Sequence, residues 1–206
     1  MEVSHMVDPA SAQSARDNLL YIRKTLEVAG QLTAVPGKYL IAVGFIAIAG
    51  SLFNGLVTGP PWSSKPDPFY ALTTWGIVLG LSLTIICFGI CRKSRQLCVP
   101  IQPPLLRKLL WSLCPALFVG GLLTSLAAQT GNLDWLPVIW LGSYGAAVTN
   151  GGQMSVLPVR YMGLCFLLAA AGAFLSPKEA GLAWIAFGFG WLHIIFGAYI
   201  ARRHNG

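Results

Sequence analysis

The sequence predicts an all-α membrane protein: a polytopic transmembrane bundle of six helices, with a short amphipathic cytoplasmic helix at the N-terminus. Three observations carry this expectation. Of 206 residues, 55% are hydrophobic and only 10% are charged, whereas soluble chains average about 25% charged. The apolar residues gather into six stretches, most of them near the ~20 residues that cross a bilayer core. The net charge of +7 is spread unevenly between the segments that join those stretches. A composition so poor in charge excludes a disordered chain and a soluble enzyme.

The N-terminal segment, residues 1–37, is read as cytoplasmic. Ser14-Ala-Arg-Asp17 has the spacing of a capping box, in which a hydroxyl and a carboxylate satisfy free amides at a helix start. Leu19, Ile22, Leu26 and Ala29 then form one helical stripe, and Gly30 is its expected stop. Two heptads are too few for a coiled coil. The stripe suits a helix that lies on the membrane or docks a protein partner or a second copy through Leu19, Ile22 and Leu26. No apolar core follows the initiator Met, so no cleavable signal peptide is expected and the first span acts as an anchor. Pro36-Gly37 breaks the chain before the membrane.

The transmembrane domain, residues 38–201, holds spans expected at 39–57, 69–90, 109–128, 135–149, 161–175 and 180–201. A tail of 202–206 follows. The fourth and fifth spans are short, which calls for local thinning or little tilt. Residues 91–108, with Pro100, Pro103 and Pro104, read as an irregular basic connector. On this frame twelve of the fourteen Lys and Arg fall on one side, leaving Lys65 and Lys178 on the other. The positive-inside rule then places both termini in the cytoplasm. Arg92, Lys93, Arg95, Arg107 and Lys108 become candidate contacts for anionic lipid headgroups, and a nucleic-acid partner is excluded. Tyr39, Trp62, Phe69, Trp111, Trp135, Tyr161, Trp184 and Tyr199 fall near span ends, as interfacial aromatics do. Trp75, Trp140, Tyr144 and Trp191 lie deeper and are expected to pack between helices.

Small residues four apart let helices approach closely in lipid. Gly76/Gly80, Gly142/Ala146, Ala186/Gly190 and Gly197/Ala201 are expected to serve packing within the bundle. Pro115 is expected to kink the third span. Pro36-Gly-Lys38-Tyr39 and Pro158-Val-Arg160-Tyr161 hint at repeated hairpins, but 23 glycines produce such matches by chance.

The run Asp17-Asn-Leu-Leu-Tyr-Ile-Arg-Lys-Thr-Leu-Glu27-Val-Ala-Gly, followed by Thr33-Ala-Val-Pro-Gly37, resembles the N-terminus of a family of uncharacterised six-helix inner-membrane proteins of bacteria. The likeness covers about 25 residues and the general hydropathy. It implies a bacterial cytoplasmic membrane and assigns no residue a role.

His193 is the one ionisable side chain well inside a span, which makes it a candidate by default. With Ser143 and Asn150 it would line a small polar pocket for a neutral solute or a lipid. The acids all fall outside the spans, so proton coupling would rest on His193 alone. Cys87, Cys91, Cys98, Cys114 and Cys165 lack ligand spacing, and no metal or cofactor is expected. Gly142-Ser143-Tyr144-Gly145 with His193 superficially resembles the serine and histidine of rhomboid proteases, but Tyr144 stands where that family has glycine. The family's first-loop tryptophan-arginine pair is missing. At 1.5 Å per residue the two groups differ by roughly 7 Å in depth. The residues therefore point away from an enzyme and towards an accessory, interaction or sensing subunit. The alternative is a transporter or binding protein for a small neutral solute or lipid.

Overall fold

The chain divides into two units, Met1–Gln31 and Leu32–Gly206. A computed structural model describes residues 13, 16–21, 35–58, 68–96 and 103–203. In the first unit residues 16–21 are helical, and Leu19 and Leu20 are exposed. The expected cap at Ser14, the rest of the stripe at Ile22, Leu26 and Ala29, and the stop at Gly30 lie outside the described residues.

The second unit is helical almost throughout its described residues. Its helices are α1 (Gly37–Thr58), α2 (Pro68–Gln96), α3 (Pro103–Gln129), α4 (Leu136–Gly151) and α5 (Leu157–Leu175). The last, α6, covers Lys178–Arg203. All but α4 are long and apolar enough to cross a membrane, five in total among the described residues. The exception has 16 residues and follows a 3-10 turn at Leu133–Trp135. Pro158 in the first turn of α5 fits a position whose amide has no helical partner, and the chain is extended at Ser176 where α5 stops.

The basic connector is shorter than its sequence suggests. Helix α2 runs on to Gln96 and α3 opens at Pro103, so helix replaces most of the irregular stretch expected over 91–108. Lys93 and Arg95 fall in the last turn of α2, where positive charge complements the free carbonyls. Pro103 and Pro104 are tolerated because a first turn needs no amide donor.

Two close seams hold the unit together. A Cβ placed on Gly37 would lie 2.5 Å from the Ala201 nitrogen, and one on Gly44 would lie 2.7 Å from the Gly190 carbonyl oxygen. Reciprocally, one on Gly197 would lie 2.8 Å from the Gly37 oxygen. Antiparallel α1 and α6 therefore touch backbone to backbone, as expected of the small pairs on the sixth span. The second seam joins α4 to α5, where a Cβ on Gly145 would meet the Leu167 nitrogen at 2.9 Å. Gly76 and Gly80 behave otherwise: among the described residues nothing lies within 4 Å of where their Cβ atoms would be. Their expected role in packing inside the bundle is thus corrected, because the buried stripe of α2 runs through Ala71, Trp75 and Gly89 instead.

These contacts also align the helix ends. Gly89 of α2 abuts Tyr39, and Lys93 Nζ donates to the Val35 carbonyl at 2.7 Å, so α2 finishes where α1 begins. Leu109 and Leu113 of α3 pack on Gly151, and Gly152 meets Arg160. Arg92, Arg95, Arg107, Lys108, Arg160 and Arg202 consequently share one end of the unit. At the opposite end Lys178 pairs with Asp134 at 3.1 Å, and Trp184 Nε1 donates to Ser176 Oγ at 2.9 Å.

Candidate functional site

Among the described residues the most deeply buried ionisable side chain is His193, only 3% exposed. Burying an imidazole requires a partner, and Tyr144 of α4 supplies it: Tyr144 Oη lies 2.8 Å from His193 Nε2. Phe166 of α5 and Phe189 of α6 close the site, with ring centroids 5.4 and 6.3 Å from the imidazole. Tyr144 stacks edge-on against Phe166 at 4.7 Å. Three helices thus meet at one hydrogen-bonded pair in an aromatic jacket.

The local backbone explains how His193 reaches that position. Residues Ala186–Leu192 form a π-helix between α-helical segments Gly181–Ile185 and His193–Arg203. Gly181 and Ile185 mark the inward face before it; His193, Gly197 and Ile200 are the buried residues after it. In a straight helix, at about 100° per residue, His193 would stand roughly 100° away from the first face. A widened turn absorbs one extra residue, or about that much rotation, and returns His193 to the line. Gly188 and Gly190 help admit the turn, since Leu141 and Ile48 fill the space beside them. The carbonyls of Gly188 and Phe189 lie beside the imidazole. Nδ1 nevertheless makes no hydrogen bond of good geometry among the described residues. In the tautomer that carries its proton on Nδ1, Nε2 accepts from the Tyr144 hydroxyl.

The other residues singled out from sequence have separate partners. Ser143 points at Gly120 of α3, and its hydroxyl donates to the Trp140 carbonyl at 3.4 Å. Asn150 Nδ2 donates to the Ser112 carbonyl at 2.9 Å, tying α4 to the start of α3. The hydroxyl that takes His193 belongs to Tyr144, so a Ser143–His193 dyad does not form. By its depth in the span Tyr144 reads as a packing aromatic, and the structure gives it a polar partner as well. The available signal was its phenol, because a polar tip in an apolar span needs a partner. Trp191, expected to pack between helices, is instead 55% exposed, while Trp75 and Trp140 do pack, with centroids 5.7 Å apart.

The basic residues divide as well. Lys93 is 4% exposed and bound to the Val35 carbonyl. Arg92 remains exposed while donating to Tyr39 Oη at 3.3 Å. Arg95, Arg107 and Lys108 are exposed. No three His, Cys, Asp or Glu side chains converge among the described residues.

Five long apolar helices, joined by close seams and aligned at their ends, define an all-helical, multi-pass membrane protein. Compared with known protein families, curated proteins and solved structures, the chain matches none.

Proposed function

We propose that the chain is a six-span protein of the bacterial inner membrane, with both termini in the cytoplasm, acting as an accessory subunit that binds a partner through its N-terminal unit. The observation that carries the reading is the described helix at residues 16–21, which leaves Leu19 67% exposed. The sixth crossing is α4. Its 16 residues rise about 24 Å, and the preceding 3-10 turn adds about 6 Å, close to a ~30 Å hydrocarbon core. It also runs from the level of the Asp134–Lys178 pair to the basic end. The gathering of Arg92, Arg95, Arg107, Lys108 and Arg160 at that end supports a cytoplasmic placement. The resemblance of residues 17–37 to uncharacterised bacterial proteins supports the compartment.

A carrier of small neutral solutes is the second reading, and it rests on His193, Ser143 and Asn150. Each already has an internal partner, which favours the accessory role. Affinity capture from native membranes, with the full chain and with a form lacking residues 1–31, tests the proposal. The shortened form should lose proteins that the full chain retains. Recovery of the same set by both overturns it.

A further inference from the structure

Helices α2 and α3 are joined by only six residues, 97–102. Neighbouring antiparallel helices with so short a link ordinarily pack on each other. Here they hardly touch among the described residues. Helix α2 packs on α1 and α3 packs on α4. In each, 11% of the most apolar stretch is buried, against 33–39% in α1, α5 and α6. Each helix therefore buries one narrow stripe and leaves most of its remaining surface exposed among the described residues.

Among the described residues the gap is bridged at one end only. Away from the basic end, Ala71 and Trp75 of α2 share an apolar cluster with Ala127 of α3, and Trp140 of α4 bridges the two, packing on Trp75 and donating from Nε1 to Thr124 Oγ1 of α3 at 2.9 Å. Towards the basic end the two helices pack on different neighbours. Ile86 of α2 joins the cluster of Val35, Leu40 and Ile200, while Leu109 and Leu113 of α3 pack on Gly151. The six-residue link keeps Gln96 and Pro103 within about 25 Å of each other. A wedge therefore opens at a mouth flanked by Arg95 on one side and Arg107 and Lys108 on the other. Within this unit every acid lies outside that end: Asp67 precedes α2, Asp134 pairs with Lys178, and Glu179 follows Lys178 in the chain. Trp111, 74% exposed, stands one turn from Arg107 and Lys108 on the same face, at the depth where indoles meet headgroups.

We infer that the wedge between α2 and α3 is a binding site for one anionic phospholipid, its phosphate held by Arg95, Arg107 and Lys108 and its acyl chains lying between the two helices. An amphiphile with a negative head and apolar tails matches both the charge at the mouth and the apolar walls behind it. A second copy of the chain would bring two sets of bases together with no acid to separate them. The inference does not depend on what the N-terminal unit binds.

The test uses the full chain in vesicles of phosphatidylcholine doped with a phosphatidylglycerol that carries a diazirine in its acyl chain. On illumination α2 and α3 peptides should be labelled above those of α1 and α5. Unlabelled phosphatidylglycerol should compete, and phosphatidylcholine should not. R95Q/R107Q/K108Q should weaken the competition roughly a hundredfold at low salt. R202Q/R203Q, which removes two bases at the same end but on α6, should leave it near the wild-type value. Uniform labelling of the helices, or equal loss in both variants, overturns the site. So does an oxidative cross-link between chains through Cys87 or Cys91 that added phosphatidylglycerol leaves unchanged, because a second copy would then fill the wedge.

Discussion

At the residue scale, Tyr144 and His193 satisfy each other where water does not reach. Removing one partner leaves the other buried and unmatched, whereas removing both can be close to neutral. Tyr144→Phe should therefore lower stability by about 1–2 kcal/mol, read from thermal unfolding in detergent. His193→Leu alone should cost at least as much, because it strands the phenol. The double variant should cost clearly less than the sum. Additive losses would mean that the 2.8 Å contact contributes no coupling. His193 was legible in the sequence as an ionisable group inside a span. Its partner was not, because helical spacing does not say which side of α4 faces α6. Ser143 and Tyr144 are neighbours in the chain and about 100° apart around the helix.

At the element scale, glycine decides which helices approach. Gly197→Leu should separate α1 from α6, since a Cβ there already meets the Gly37 oxygen at 2.8 Å and the Ile41 nitrogen at 2.9 Å. A loss of several kcal/mol, or failure to fold, is expected from overpacking of this kind. Gly80→Leu should leave unfolding nearly unchanged, because no described residue lies within 4 Å of its Cβ position. Comparing the two melting curves checks the assignment, and equal destabilisation would contradict it. Composition and hydropathy revealed these helices well. The same small-residue motif on α2 and on α6 could not be told apart by sequence, since only tertiary structure determines which glycine has a neighbour.

At the scale of the whole molecule, charge and topology agree. The contacts that bring the start of α1 to the end of α6 also gather the bases at one end. Reporters fused after Gly206 and inserted near Trp62 should therefore report opposite sides of the membrane, the former cytoplasmic. A cytoplasmic signal at Trp62 would reverse or break the orientation. The asymmetry was legible from the bases alone. The wedge between α2 and α3 was not, because a six-residue link ordinarily implies a packed hairpin.

The widened turn at Ala186–Leu192 has a consequence for the length of α6. It stores one residue more than a straight helix needs over the same rise. Loss of a single residue there, such as the exposed Phe187, would let the coil tighten while Gly181 and His193 keep facing the same way. Loss of a residue from the His193–Arg203 stretch would swing Gly197 or Ile200 out of its seam. The chain thus carries its spare residue in the middle of its last helix, and that is where it can be shortened without turning the face that meets α1.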